Sequence, residues 1–380
     1  MKIQYIVIFV IPIIFLRCAD NNTNDSNRRK SEGSLLKGKK INFNLSDEVS
    51  TRFHHIQVFD SLIYCSDNVN YSSIYVFNLR GKLVDVMSFN KRGPNGVGRF
   101  RGFYIHDIDS IFIVNRYAYK LYLANSKGEV ISKYDLKKKD IEIAALPTIN
   151  PGSPMFKIGD NIYLPSVPEL APCKYNYEYN RSLIELNLNN NDVNYKLGYP
   201  QVLQKYSLHS AFSFIYSCYN SQNEKLIVSY PGDYRLYNYD IENELLQCVN
   251  NTKSHFVENI KCPTSSPSND SYERNLFALQ QDLFTSVYYD QYKNLYYRFM
   301  RKRRTKKDAK EFLQNPRQRN SKTDRYVMIY DKDFNLLLEK RIPFLKSSSE
   351  AFILPDGLYL KGNYENNENK VYFQQYIYRK

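Results

Sequence analysis

The chain has 380 residues, a formal net charge of +14, 35 Tyr, 22 Phe and no Trp. That aromatic content, with many Asn and few Ala, excludes a disordered chain and favours strands and turns over helices. A basic intracellular chain would suggest nucleic acid. The N-terminus reads instead as an export signal, so no nucleic-acid partner is expected, and anionic glycans, lipid phosphates or a solvated surface become the explanations of the charge.

Met1 and Lys2 precede an almost unbroken apolar stretch over residues 3–16, followed by Arg17, Cys18 and the polar run ADNN. A positive start, an apolar segment too short to span a bilayer comfortably and an abrupt polar flank make residues 1–17 a signal peptide. Bacterial lipoprotein signals end in a small apolar box before a Cys that is acylated on sulfur, so Cys18 is the expected lipid attachment. Arg17 departs from that box, and an uncleaved anchor or ordinary secretion is the alternative. Two or three acyl chains, at roughly 0.8 kcal/mol per buried methylene, would hold the protein stably at a membrane. Loss of Lys2 and Arg17 with the signal lowers the formal charge from +14 to +12. Residues 18–37 carry hardly an apolar group and read as a disordered tether, which leaves 38–380 as the folded part.

Six copies of one short pattern follow, a polar turn leading into apolar residues, with an aromatic in the middle of all but the fourth: DSLIYCS at 60, DSIFIVN at 109, DNIYLPS at 160, EKLIVSY at 224, KNLYYRF at 293 and DGLYLKG at 356. A second strand, a turn and usually a third strand come after each, most cleanly in SIYVFNLRGKLVDVMSF from Ser73 and KLYLANSKGEVISKYDL from Lys120. About four strands per repeat is one propeller blade, which predicts an all-β, six-bladed β-propeller. The sixth copy lacks an outermost strand, whereas residues 40–45 (KINFNL) form a stray strand before the first. Pairing this strand with residues 371–379 would close the ring and remove an open edge; a five-bladed or open assembly is the alternative.

The Cys18 boundary, the link FNKRGPNGVGRF over residues 89–100 and the Asp109 strand resemble exported lipoproteins of Bacteroidetes that carry a TolB-like six-bladed propeller, including one large family of undefined function. The resemblance covers the whole mature chain. It implies a binding or scaffolding lipoprotein and transfers no catalytic residues.

Arg301, Lys302, Arg303, Arg304, Lys306 and Lys307 form the densest charge cluster, in an insertion between two strands of the fifth blade. Such a run repels itself, so an anionic partner such as lipopolysaccharide phosphate or an acidic glycan would stabilise it; a solvated surface is the alternative reading. Thr305 and Asp308 resemble a capping box that predicts a short helix over residues 305–314. Gly93, Gly96 and Gly98 could cradle an anion but lack the ending of a phosphate loop, and read as an inter-blade turn. Asp331, Asp333 and Asn335 begin like a calcium loop, yet Leu336 and Ile342 occupy the Gly and Glu positions, so a hairpin turn is expected. None of His54, His55, His106, His209 and His255 has zinc spacing. His106, Asp107 and Asp109 are the first residues to inspect for a channel metal. The tyrosines could stack on sugars but are chiefly expected in blade packing. With Cys18 acylated, Cys65, Cys173, Cys218, Cys248 and Cys262 remain. Their odd number argues against a full disulfide framework; Cys248 with Cys262 is the candidate pair, against unpaired buried thiols.

No cofactor or metal is expected. The leading expectation is a non-enzymatic binding or scaffolding lipoprotein at the outer membrane, its partners the membrane through the anchor and a glycan, lipopolysaccharide or a protein. The alternative is a propeller hydrolase or lyase acting on an extracellular glycan or lactone, which would converge three or more carboxylates or imidazoles on the channel.

Overall fold

Each predicted repeat folds as an antiparallel sheet, and the six sheets are the six blades of a propeller. The computed structural model describes residues 33–45, 49–67, 69–138, 144–169, 180–204, 210–250, 254–257, 270–315, 323–343, 345, 347–363 and 370–380. Blade 1 holds β2 (Phe53–Phe59), β3 (Leu62–Asp67), β4 (Ser73–Asn78) and β5 (Leu83–Ser88); blade 2 holds β6 (Gly102–Asp107), β7 (Ser110–Asn115), β8 (Lys120–Ala124) and β9 (Val130–Asp135). In blade 3 two short pieces, β10 (Ala145–Pro147) and β11 (Phe156–Ile158), share the inner position beside β12 (Asn161–Pro168), followed by β13 (Arg181–Asn187) and β14 (Val193–Gly198). Two short helices, α1 (Gln201–Gln204) and α2 (Ser210–Ser213), precede blade 4, which comprises β15 (Tyr216–Asn220), β16 (Lys225–Ser229), β17 (Leu236–Asp240) and β18 (Leu245–Asn250). Helix α3 (Ser271–Leu279) leads into blade 5, built of β19 (Leu283–Asp290), β20 (Leu295–Arg301), β21 (Arg325–Tyr330) and β22 (Leu336–Arg341), with α4 (Lys306–Gln314) inserted after β20.

Blade 6 pairs β23 (Ala351–Leu354), β24 (Gly357–Asn363) and β25 (Lys370–Arg379) with β1 (Ser34–Asn44) from the other end of the chain. The closing strand occurs in the predicted place: Lys40 lies opposite Gln374, Ile41 opposite Phe373 and Phe43 opposite Val371. Beyond a bulge at Lys37/Lys40 the pairing continues to Ser34 opposite Arg379. The strand therefore takes in Ser34–Lys37, which the sequence reading assigns to the tether. Leu35 supplies the reason, since it buries against blade 5 and blade 6 residues. The tether up to residue 32, the signal peptide and Cys18 lie outside the described residues, as do His209, Cys173 and Cys262, and with Cys262 the candidate disulfide. Cys65 and Cys218 are buried thiols. No helix among the described residues is long and apolar enough to cross a membrane.

Period-two alternation explains how the core is shared out. Ile74 and Val76 of β4 face blade 2, while Tyr75 and Phe77 from the same strand face blade 6. Each of the six hydrophobic clusters accordingly sits between two neighbouring blades, including one that joins Phe43 and Phe373 of blade 6 to Phe53 and Phe77 of blade 1. Phe43 stacks on Phe77 at 4.4 Å between centroids. Aromatic pairs of this kind contribute about 0.5–1.5 kcal/mol beyond their buried area, so closure is welded by rings as well as by backbone hydrogen bonds. Many tyrosines, among them Tyr64, Tyr230, Tyr296 and Tyr359, are buried as packing groups.

The Gly81 turn shows why a glycine is needed. Its φ is +80°, and an added Cβ would lie 2.1 Å from the Asn42 carbonyl oxygen of the closing strand. The 93–98 segment is an inter-blade turn: Gly96 N–H donates to Gly93 O at 2.9 Å, and Asn115 Nδ2 donates to Val97 O at 3.0 Å. At the 331–335 hairpin, Asp331 Oδ1 accepts from the Asp333 and Asn335 backbone N–H groups, both at 2.9 Å.

Candidate functional site

A cavity of about 340 Å³ lies where the inner strands converge, and every blade contributes to its wall. β2 provides His55 and Gln57, β6 provides Tyr104, and Phe352 comes from β23. The walls from blades 4 and 5 include Tyr219, Ser221, Tyr288, Tyr289, Gln291 and Tyr292. Hydroxyls, amides and rings share the lining with aliphatic side chains such as Ile56, Val58, Met155 and Val287, and no carboxylate is among them. Tyr292 lies in the turn after β19 and is 48% exposed, so that end meets solvent.

The opposite end is narrowed by a device that strand counting misses. Between β10 and β11 the chain leaves the inner position of blade 3 and makes a turn at Asn150-Pro151-Gly152-Ser153, closed by Ser153 N–H donating to Asn150 O at 2.9 Å. Ser153 Oγ lies 3.2 Å from Ser217 Oγ of blade 4. An added Cβ on Gly152 would come within 2.5 Å of Ser286 Cβ in blade 5. A segment of blade 3 thus reaches past its neighbour to blade 5, across the inner end of the channel. Only small side chains fit there, and Ser348, ahead of blade 6, completes the belt by accepting from Ser286 Oγ at 2.6 Å. The Pro and Gly of Asn150-Pro-Gly-Ser-Pro are the turn signal that marks this loop in the sequence.

Two adjacent histidines on β2 are kept neutral. His55 is 1% exposed, with its ring edge-on to Phe103 at 4.7 Å. Burial, then the charge of His54, pushes its pKa down to about 3. His54 falls to about 4 through burial and then the Arg101 cation. The His55 Nδ1 is buried without a hydrogen-bond partner, beside the cavity. Gln57, by contrast, spends its amide on structure: it donates to Ile105 O and accepts from Ile105 N–H, both at 2.8 Å.

The other sequence candidates are dispersed. His106 and Asp107 end β6 as exposed groups, and Asp109 accepts from Ser126 Oγ at 2.9 Å. Among the described residues no group of three or more His, Cys, Asp or Glu could hold a metal ion.

The basic run is divided by the fold. Lys306 and Lys307 are exposed on α4, whose N-cap Thr305 accepts from Asp308 N–H at 3.1 Å, as the capping box predicts. Lys302 faces the buried Asp282 carboxylate at 3.7 Å, and Arg303 N–H donates to the same carboxylate at 2.6 Å. Arg304 lies over the Phe312 ring at 4.3 Å. Arg301 turns inward and donates to Ala278 O at 2.7 Å. The six cations therefore do not form one surface patch. The residue missed by the sequence reading is Arg325, directly opposite Arg301 in the β20–β21 ladder. Nothing local marks it, because the two are 24 positions apart and separated by α4.

Comparison with known proteins agrees with this architecture. A crystal structure of a member of the DUF4221 family from Bacteroides vulgatus superposes with a TM-score of 0.77 at 19% identity, over 92% of this chain and 99% of that one. A Bacteroides fragilis protein taken to be exported gives 0.55 at 12% identity, over 90% and 95% of the two chains. Both likenesses concern the fold. No curated protein matches the sequence. The model of the family described as a domain of unknown function, DUF4221, matches residues 33–341. On that match and this ring of six blades, the chain belongs to the DUF4221 family.

Proposed function

We propose that the protein is an exported propeller, anchored at the outer membrane through acylated Cys18, that holds the end of a neutral glycan in its axial cavity without transforming it. The observation that carries this reading is the lining: tyrosine rings and uncharged hydrogen-bonding groups from blades 1, 2, 4 and 5, facing apolar residues of blades 3 and 6, around about 340 Å³ of space. That volume lies near the lower end of small-molecule pockets, roughly 300–1,000 Å³, which suits one or two sugar units rather than a chain. Tyr219, one face of which stacks on Phe156 at 4.6 Å between centroids, and Tyr292 line the cavity together with Ser221 and Gln291. A hydrolase or lyase needs an acid and a base at the reacting bond. Here the lining offers one imidazole, His55, and burial keeps it neutral.

Calorimetric titration of the mature chain with neutral oligosaccharides tests the binding half. Tyr219→Ala and Tyr292→Ala should each weaken binding at least ten-fold. Unchanged affinity in both would remove the cavity from consideration, and release of a cleaved sugar would replace the binding role with catalysis. The anchor is tested separately: Cys18→Ala should abolish incorporation of labelled palmitate and shift the protein out of the membrane fraction.

A further inference from the structure

Blade 5 carries a group of cations that its own carboxylates do not neutralise. Arg301 and Arg325 occupy directly opposed positions on β20 and β21, an arrangement in which like charges destabilise a sheet. Arg304 follows three residues after Arg301, and all three guanidinium groups have an Nε–H buried without a hydrogen-bond partner. Two nearby acids attract the group, Asp282 acting on Arg301 and Asp308 on Arg304, but each also holds other partners. Asp282 accepts from Arg303 N–H and faces Lys302, Asp324 is paired with Arg341 at 2.5 Å, and Asp308 accepts from Thr305 Oγ1 at 2.7 Å. Tyr216, the first residue of the inner strand β15, lies within electrostatic range of both Arg301 and Arg325. Orphaned buried donors are rare because each costs about 1–3 kcal/mol. Three of them on mutually repelling cations define a place built for an anion.

We propose that Arg301, Arg304 and Arg325, with the Tyr216 hydroxyl, form a receptor for a phosphate group, either free or carried as a monoester on a larger molecule. The chemistry fits on three counts. Guanidinium forks match phosphate oxygens better than any other cationic side chain does. Every group in the set can donate, and a phosphate monoester presents three acceptor oxygens with a charge of about −1.5 to −2. A carboxylate would offset only one of three positive charges. Burial is the first cause, and a neighbouring arginine the second, of the pKa depression to about 10 at both Arg301 and Arg325, so both remain cationic at neutral pH. All four residues are half-buried, so each keeps some surface within reach of solvent. The site lies at the start of β15 and the end of β20, whereas the axial cavity reaches the other end of β15 and β19. It is therefore separate from the proposed glycan cavity.

The test is calorimetry on the mature chain at constant ionic strength, with inorganic phosphate, glucose 6-phosphate and acetate as probes. Phosphate or glucose 6-phosphate should bind at least ten-fold more tightly than acetate; if both bind, the monoester is the physiological form, and if only phosphate binds, the free ion is. Arg325→Gln should weaken that binding at least ten-fold yet melt no lower than wild type in phosphate-free buffer, because it removes a repelling charge. Arg304→Gln, at the outer edge of the set, provides the same binding readout should Arg325→Gln fail to fold. Tyr292→Ala should bind phosphate as wild type does. Equal affinity for acetate, unchanged phosphate binding in the variants, or a lower melting temperature for Arg325→Gln without phosphate would each overturn the assignment.

Discussion

Two arginine environments in blade 5, on the same strand and three residues apart, show opposite treatments of a buried charge. Arg298 is fully buried and completely engaged: Nε donates to Ser229 Oγ at 2.8 Å, Nη2 donates to Asp233 O at 2.7 Å, and Nη1 donates to Tyr234 O at 2.5 Å. Its guanidinium also lies 3.5 Å from the centre of the Phe284 ring. The residue sews blade 5 to the β16–β17 loop of blade 4. Arg301 and Arg325 share the desolvation without that saturation, and each keeps a buried donor unused. Burial alone therefore does not distinguish a structural cation from one held for a partner; the hydrogen-bond inventory does.

The contrast breaks most visibly at Arg298. Arg298→Ala strands the Ser229 hydroxyl and the carbonyls of Asp233, Tyr234 and Arg235, the last accepting at 3.2 Å, and opens a cavity, so chemical denaturation should show a loss of about 3–5 kcal/mol. A loss below 1 kcal/mol would place the two environments on the same footing. The buried imidazoles extend the comparison to groups that can shed their charge. His54 and His55 stay neutral in the fold, with pKa values of about 4 and about 3, and take up a proton near 6.5 once the chain unfolds. Their contribution is complete above pH 6.5 and is lost as the pH falls toward 4. Each should cost roughly 1.4 kcal/mol per pH unit across that window. Denaturation midpoints measured at pH 7 and pH 5 check this, and His54→Asn should remove about half of the slope. Removing the cap that holds α4 has a smaller effect: Thr305→Ala should cost about 1 kcal/mol, read as a lower melting temperature. Smallest is the double change Lys306→Ala with Lys307→Ala. Both are exposed, so stability should move by no more than about 0.5 kcal/mol, and phosphate binding should stay unchanged if the buried arginines carry it.

Much of the blade order was legible because it is written locally. The six copies from 60 to 356 correspond to β3, β7, β12, β16, β20 and β24, the second strand of each blade. Asn78–Gly81 and Asn125–Gly128 announced two of the hairpins, and Thr305 with Asp308 announced α4. The inner strands were less visible, and in blade 3 the break between β10 and β11 had no counterpart in the repeat. The loop spanning the channel depends on Gly152 meeting Ser286, 134 positions away, a contact that no window along the chain contains. The basic run was found as a run, but its division into exposed lysines and inward arginines follows from where β20 ends and α4 begins.

By itself, then, the sequence determined the number of blades, their strand order and the need for a closing strand, since alternation and turn chemistry act over a few residues. Only the tertiary structure decided that Leu35 belongs to the closing strand, which side chains line the axis and that Arg325 stands against Arg301. Those facts depend on which residues a ring brings together from distant repeats, and desolvation acts on the group that is buried there, wherever it lies in the chain.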